Sequence, residues 1–248
     1  MKEENVSQRK ILIKTIVSFG IFILFFGGVY FLWNSLKTQP TDNGAPKALR
    51  KTLDLNESLA LKTFNSNRKT PTFTKEDAAK NVRVNGSIGM KNAKDTANYA
   101  MKIVRSNGDT LQVTLADLKK LPKTEVIFDF KCIEGWSQVS HWGGVKFSDL
   151  VKFYHLENES KLNYVALSTP DEKYYVGIDE KSMMHSQTIL AYELNEKPLP
   201  LNQGYPIRLI IPVKYGVKHL KRIGNISFSN ARPKDYWFER GYDYYCGF

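Results

Sequence analysis

Hydrophobic and polar positions follow three patterns along the chain. Residues 15–33 carry no charge and are rich in Ile, Val, Leu and Phe. At ~1.5 Å per residue, a helix of that length crosses a hydrocarbon core about 30 Å thick. Tyr30 and Trp33 stand at its far end, where interfacial aromatics are favoured. This stretch predicts one transmembrane helix. Residues 34–47 hold two prolines with Asn, Gly and Thr, and read as a tether. Leu49, Leu53, Leu59 and Phe64 then recur near helical spacing, predicting a short amphipathic helix over 48–64. Residues 65–75 form a polar connector.

Beyond Val82 the pattern shortens to strand-length runs. Residues 100–104 and 111–114 flank Ser106-Asn107-Gly108-Asp109, a hairpin signal. Thr114 with Asp117 three residues on predicts a capped helix through Lys120, ended by Pro122. Further strands are expected at 125–131, 164–167, 174–178, 207–211 and 223–228, with a short capped helix at 148–154. Short strands and helices without regular alternation predict an α+β domain, mainly β. The resulting division is a basic cytoplasmic segment over 1–14, an anchor over 15–33, a linker with a short helix over 34–72, and a folded domain over 73–248.

Charge refines the topology. Lys2, Arg9, Lys10 and Lys14 precede the span and favour a cytoplasmic amino terminus; Lys37, Lys47, Arg50 and Lys51 follow it and weaken that bias. No small-residue cleavage site follows, which favours an uncleaved anchor. Residues 8–14 read either as ordinary positive flanks of the span or as a twin-arginine export signal with Lys10 in place of the second arginine. The expected location is the bacterial inner membrane in a single pass, with the domain periplasmic or, alternatively, facing the cytoplasm. The chain has 248 residues, 42% of them hydrophobic, and a formal net charge of +11. That excess suits anionic lipid or an anionic ligand. No helix-turn-helix, zinc-finger spacing or RNA-binding signature points to nucleic acid.

The candidate chemistry centres on Cys132. The apolar run ending at Phe130 delivers it, and Gly135 turns the chain. A lone thiolate at a strand end can ligate a transition metal or act as a nucleophile. The only other cysteine is Cys246, and a disulfide between the two is open if the domain is exported. No CxxC, CxxCH or HExxH occurs.

Cys132-Ile133-Glu134-Gly135-Trp136-Ser137 is followed by Trp142-Gly143-Gly144-Val145. Gly204-x-Pro206-x-Arg208-Leu209-x-x-Pro212-x-Lys214-Tyr215-Gly216-x-Lys218 comes next, then Trp237-x-x-Arg240-Gly241-Tyr242. In order and spacing these motifs resemble the cofactor-binding domain of the sulfite oxidase family of molybdenum enzymes, over residues 83–248. The resemblance implies a sulfite-oxidase-type molybdopterin-binding fold and a molybdenum–molybdopterin cofactor, with Cys132 as the protein's sulfur ligand to the metal. It implies that Arg208 and Lys221 grip the cofactor phosphate, that the turn at His219, Leu220 and Lys221 cradles the cofactor partly through its backbone, and that Asn85 and Thr169 lie against it. Relatives that reduce methionine sulfoxide often carry asparagine before Gly-x-Pro-x-Arg; here Gln203 stands there, offering a longer amide. His141 reads as a solvent-facing loop residue or, alternatively, as a proton donor beside the metal, Trp136 and Trp142 as packing around the pocket, and Cys246 as inert.

The expected activity is oxygen-atom or two-electron transfer, most closely that of a sulfoxide or N-oxide reductase. The alternatives are a sulfite dehydrogenase, a thiol hydrolase using Cys132, and a non-catalytic anchored module. A haem domain is not evident in the sequence, so the expected partners are a sulfoxide-type substrate and an external electron carrier such as a membrane cytochrome.

Overall fold

The computed structural model describes residues 8–90 and 99–248. Lys2, with the first part of the basic segment, lies outside them. Helix α1 (Gln8–Lys37) is wholly exposed and is long and apolar enough to cross a membrane. It extends past the uncharged stretch at both ends, because Arg9, Lys10, Lys14 and Lys37 are good helix formers.

The stretch expected to be a tether is folded. Strands β1 (Thr41–Asp42) and β2 (Ala45–Pro46) pair across Asn43 and Gly44, both in the left-handed region (φ 46° and 76°), as a tight Asn-Gly hairpin demands. Lys47 N–H then donates to the Pro40 carbonyl (3.2 Å) and Ala48 N–H to Gln39 Oε1 (2.8 Å), opening helix α2 (Lys47–Thr63). The leucine pattern located this helix but not its inward face. Its buried residues are Arg50 and Glu57, whereas Leu49, Leu55 and Leu59 are exposed. The surface beneath it is polar: Arg50 meets backbone carbonyls and Glu57 pairs with Arg232. The connector also runs along the domain. His185 Nε2 bonds the Arg68 carbonyl (3.1 Å), and Phe73 N–H donates to Ile127 (3.1 Å).

The domain is α+β and sheet-rich. Strand β3 (Ala100–Val104) pairs with β4 (Thr110–Thr114) as the hairpin signal predicts. Helix α3 (Leu115–Leu118) opens on a capping box in which the Thr114 hydroxyl accepts Asp117 N–H and the Asp117 carboxylate accepts Thr114 N–H. Next come β5 (Lys123–Lys131), β6 (Ser137–Lys146), α4 (Phe147–Phe153), β7 (Tyr164–Ser168), β8 (Tyr175–Asp179), α5 (Glu180–Met183), β9 (Ile189–Leu194), β10 (Lys197–Pro198), β11 (Arg208–Ile210) and β12 (Asn225–Ser229). One sheet has the order β4-β3-β12-β7-β8, with β12 parallel to β3. The other has the order β10-β9-β6-β5, with β11 also on β9.

Strands β6 and β9 were not among the expected elements. Residues 137–146 mix Ser, Gln, His and Gly without alternation. They are a strand because β5 and β9 flank them, and Gly143–Gly144 marks a bulge. His141 is thereby corrected: it is 4% exposed, opposite Ile127, with Nε2 3.4 Å from the Glu125 carboxylate. Helix α4 likewise begins at Phe147 without the expected serine cap.

Side chains from both sheets fill one core. Met101, Ile103, Val165, Leu167 and Ile226 come from the first sheet; Val145, Leu190 and Leu209 come from the second. The alternate residues Ile189, Ala191 and Ile210 point to the other face of the second sheet, joining Phe128, Phe130 and Trp142. The cleft described next lies beside that second cluster.

Candidate active site

Strand β5 ends by placing Cys132 in a tight turn. Cys132 N–H donates to the Trp136 carbonyl (2.8 Å), Gly135 N–H donates back to the Cys132 carbonyl (3.1 Å), and Gly135 takes φ 86°. Trp136 stacks on Phe130 and donates its indole N–H to Glu134 (2.9 Å), and Arg83 lies 4.6 Å over its ring. The turn is thus rigid before any ligand arrives. Cys132 is 6% exposed and lines a cleft of about 140 Å³.

The opposite wall is the basic turn after β11. A short helical turn, Gly216–Lys218, leads to His219 and Lys221 on the cleft. The turn is enclosed: Lys214 pairs with Asp179 (2.7 Å), Lys218 pairs with Asp235, and both ammonium groups are about 1% exposed. Lys221 Nζ donates to the carbonyls of Gly86 (3.0 Å) and Asn202 (2.9 Å), leaving a third donor for the cleft. Burial, with Arg208 adding repulsion, pulls its pKa down to about 7.

Four of the residues proposed from sequence meet at this cleft: Asn85, Cys132, His219 and Lys221. Asn85 Nδ2 lies 3.5 Å from the Gly216 carbonyl. The other four are not among its lining residues. Leu220 and Thr169 are fully buried; Leu220 sits in the core, and the Thr169 hydroxyl donates to Asp171 (2.7 Å). Arg208 is also fully buried. Its fork donates to the Gln203 carbonyl (3.0 Å), Gln203 Oε1 (2.9 Å) and the His219 carbonyl (3.3 Å), and it lies 4.6 Å from the Trp142 ring. Gln203 donates in turn to the carbonyls of Val82 and Arg83. In this structure the pair spans from the basic turn to the loop carrying Asn85. Burial pulls Arg208 down to about 9, and its Nε has no partner.

The remaining walls come from Ser87, Ile88, Ile133, Glu134, Tyr174, Trp237 and Tyr242. Sequence reasoning did not assign these as site residues, although Ile133, Glu134, Trp237 and Tyr242 stood in quoted motifs. For Trp237 and Tyr242 their aromatic character within the motif was the available signal. Tyr174 reached the cleft through a loop and donates to the Val217 carbonyl (2.5 Å).

The geometry argues against Cys132 as an activated nucleophile. Burial pushes its thiol pKa up, outweighing a hydrogen bond from the Glu134 backbone, the reverse of what activates a nucleophile. The histidine sharing the cleft is committed. His219 Nδ1 accepts Ile211 N–H (3.4 Å), and Nε2 bonds the Lys214 carbonyl (3.1 Å). Burial, then Arg208, pulls its pKa down to about 3. It has no free nitrogen to serve as base for a thiol. A metal can displace the Cys132 proton, because a soft thiolate gains a bond in exchange. No group of three His, Cys, Asp or Glu residues able to hold a metal occurs among the described residues. A single-cysteine site therefore suits a metal that brings its other donors. Cys132 and Cys246 are both free and buried.

The chain matches the family model described as oxidoreductase molybdopterin binding domain over residues 87–237. It is 31% identical over 153 residues to the putative protein-methionine-sulfoxide reductase subunit YedZ1 of Azospira oryzae, covering 62% of this chain and 57% of that protein. It is 31% identical over 157 residues to the protein-methionine-sulfoxide reductase catalytic subunit MsrP of Campylobacter jejuni, covering 58% and 53%. A second MsrP, from Xanthomonas axonopodis pv. citri, is 35% identical over 136 residues, covering 49% and 42%. The chain spans about half the length of these curated relatives. Among solved structures it is similar to the sulfane dehydrogenase SoxCD of Paracoccus pantotrophus, with a TM-score of 0.49, 18% identity, and coverage of 54% of this chain and 39% of that one.

Proposed function

The chain belongs to the oxidoreductase molybdopterin-binding domain family, and from that premise we propose that it is a membrane-tethered molybdenum oxidoreductase that reduces sulfoxides. The observation that carries this reading is the pairing of walls in one cleft. A buried, unactivated soft donor, Cys132, faces an enclosed cation, Lys221, with a donor to spare.

The residues present fit the cofactor. Cys132 would supply the protein's sulfur ligand. Lys221 would hold the anionic end of the pterin, and Asn85 would add an amide contact. Gly216 lets the turn close on the cleft, since a Cβ there would stand 2.8 Å from the Phe130 ring and 3.3 Å from Asn85 Nδ2. Arg208 and Gln203 hold these elements in register from behind. When bound, the molybdenum centre supplies two-electron oxygen-atom transfer.

The chain's own part is orientation and exclusion. Tyr174, Trp237 and Tyr242 form an aromatic wall that takes the apolar substituents of a substrate and displaces water. Among the described residues lining the cleft, Lys221 is the one cation, and Glu134 adds negative charge. That balance favours a neutral sulfoxide over anionic sulfite. Electrons would come from an external carrier, such as a cytochrome in the same membrane, and α1 would hold the domain beside it.

The test is to purify the full chain from a host that makes the cofactor, in wild-type and Cys132→Ser forms, and to measure molybdenum and both reactions. Metal in the wild type, its loss in Cys132→Ser and sulfoxide reduction are expected. Well-folded wild type without molybdenum would sink the proposal. Turnover of sulfite alone would reverse its direction.

A further inference from the structure

The hairpin and helix between α1 and the domain do more than connect them. Arg50 is 2% exposed, yet among the described residues no carboxylate bonds it. Its fork is spent on backbone carbonyls: Asn43 (2.8 Å) in the hairpin, and Phe238 (2.9 Å) and Tyr242 (2.9 Å) near the carboxyl end. The guanidinium also lies 4.0 Å from the Phe238 ring centre. Beside it the two backbones touch. Gly44 and Gly241 are both left-handed (φ 76° and 94°). A Cβ on Gly44 would stand 2.7 Å from the Arg240 carbonyl carbon, and one on Gly241 would stand 2.8 Å from the Gly44 oxygen.

The segment gripped in this way carries part of the cleft. Phe238–Arg240 is one helical turn; Tyr242 N–H closes on the Trp237 carbonyl (3.1 Å), and the two rings meet edge-on with centres 5.0 Å apart. Trp237 and Tyr242 both line the cleft. A rigid fork bonded to both ends of this turn fixes where the two rings point.

We propose that Arg50 is a positioning residue for the substrate wall, so that the anchor-proximal hairpin is a working part of the cleft. The proposal rests on the sulfoxide-reductase reading only for its kinetic consequence. Removing the side chain strands the carbonyls of Asp42, Asn43, Phe238 and Tyr242 and frees the turn, which loosens the rings without touching Cys132 or Lys221.

The experiment uses the full chain, loaded in a cofactor-making host, with Arg50→Ala and Arg50→Lys. Amide exchange over residues 238–242 is expected to quicken about tenfold in Arg50→Ala while β5 and β6 keep their protection. KM for methyl phenyl sulfoxide is expected to rise about fivefold with kcat within about twofold, the mark of lost binding rather than lost chemistry. Arg50→Lys keeps the charge but cannot fork, so it should fall between, and it carries the same readouts if the alanine variant does not fold. Unchanged exchange in both variants overturns the proposal. So does exchange quickened equally in β5 and β6, which would make Arg50 a general stabiliser, or local loosening with unaltered KM. If the wild type holds molybdenum but reduces no sulfoxide, the functional reading falls and the exchange result alone decides on Arg50.

Discussion

Lys221 donates from Nζ to the carbonyl of Gly86 at 3.0 Å, fastening the basic turn to the loop that presents Asn85. With its pKa near 7, this ammonium is charged in weak acid and largely neutral in mild alkali. An anion in the cleft needs the charged form. Cofactor retention should therefore fall as pH rises through 7, by up to ~10-fold per unit. Stability of the cofactor-free chain moves the opposite way. An unfolded lysine keeps its proton to about 10.4, so between those values the unfolded state binds more protons and stability rises with pH. Lys221→Met should weaken retention about 10- to 100-fold, as for a lost charged hydrogen bond. Molybdenum remaining after gel filtration across this pH range checks both; a flat profile refutes the first.

Cys132→Ser should lose the metal and keep the fold. The turn is held by backbone bonds to Trp136 and from Gly135, which serine leaves intact. The expected stability cost is about 1 kcal/mol, from placing a hydroxyl in a thiol's buried site. In cofactor-free wild type the raised thiol pKa makes Cys132 slow to alkylate at neutral pH. Rapid labelling by iodoacetamide would argue for an activated nucleophile instead.

His219→Leu should cost about 2–5 kcal/mol in denaturant unfolding, because Ile211 N–H and the Lys214 carbonyl both lose a buried partner. The same residue gives an acid dependence. Its folded pKa near 3 lies below the unfolded value of about 6.5, so the unfolded state binds the extra proton as pH falls between them. Its contribution to stability is complete above that window and declines through it. Urea midpoints from neutral to acid pH should fall less in the leucine variant than in wild type.

Gly216→Ala tests the closeness of the cleft walls. The new methyl would press on Phe130 and then on Asn85. A loss of about 1–3 kcal/mol is expected from overpacking, with reduced cofactor retention. Retention equal to wild type would separate Gly216 from the site.

The local chemistry of the fold was the most legible part of the sequence. Thr114 and Asp117 announce their capping box by spacing alone, and Asn107-Gly108 announces its hairpin. β6 and β9 were not legible: a strand between two others needs no alternation, and Gly143 and Gly144 hide it further. The site divided in the same way. Cys132 and Lys221 could be placed on the cleft by motif, because each stands at a turn. Arg208 could not be told from a ligand-facing arginine, since only tertiary packing shows that its fork turns toward Gln203 and His219. Arg50 and Glu57 were hidden by the leucines around them. Periodicity finds a helix, but which face it buries depends on what the neighbouring surface offers.

The bonds from Gln39 and Pro40 to the first amides of α2 leave α1 almost no leash. Had residues 34–72 been a flexible chain, they would have spanned roughly 35 Å of root-mean-square reach. Folded as they are, they fix the distance from α1 to the cleft. With α1 in a bilayer, the domain cannot sweep the space around its anchor to find a donor of electrons. Under the proposed function, a donor embedded in the same bilayer would have to diffuse to it laterally, and the effective concentration at that meeting would be set by crowding in the plane of the membrane rather than by the length of a linker.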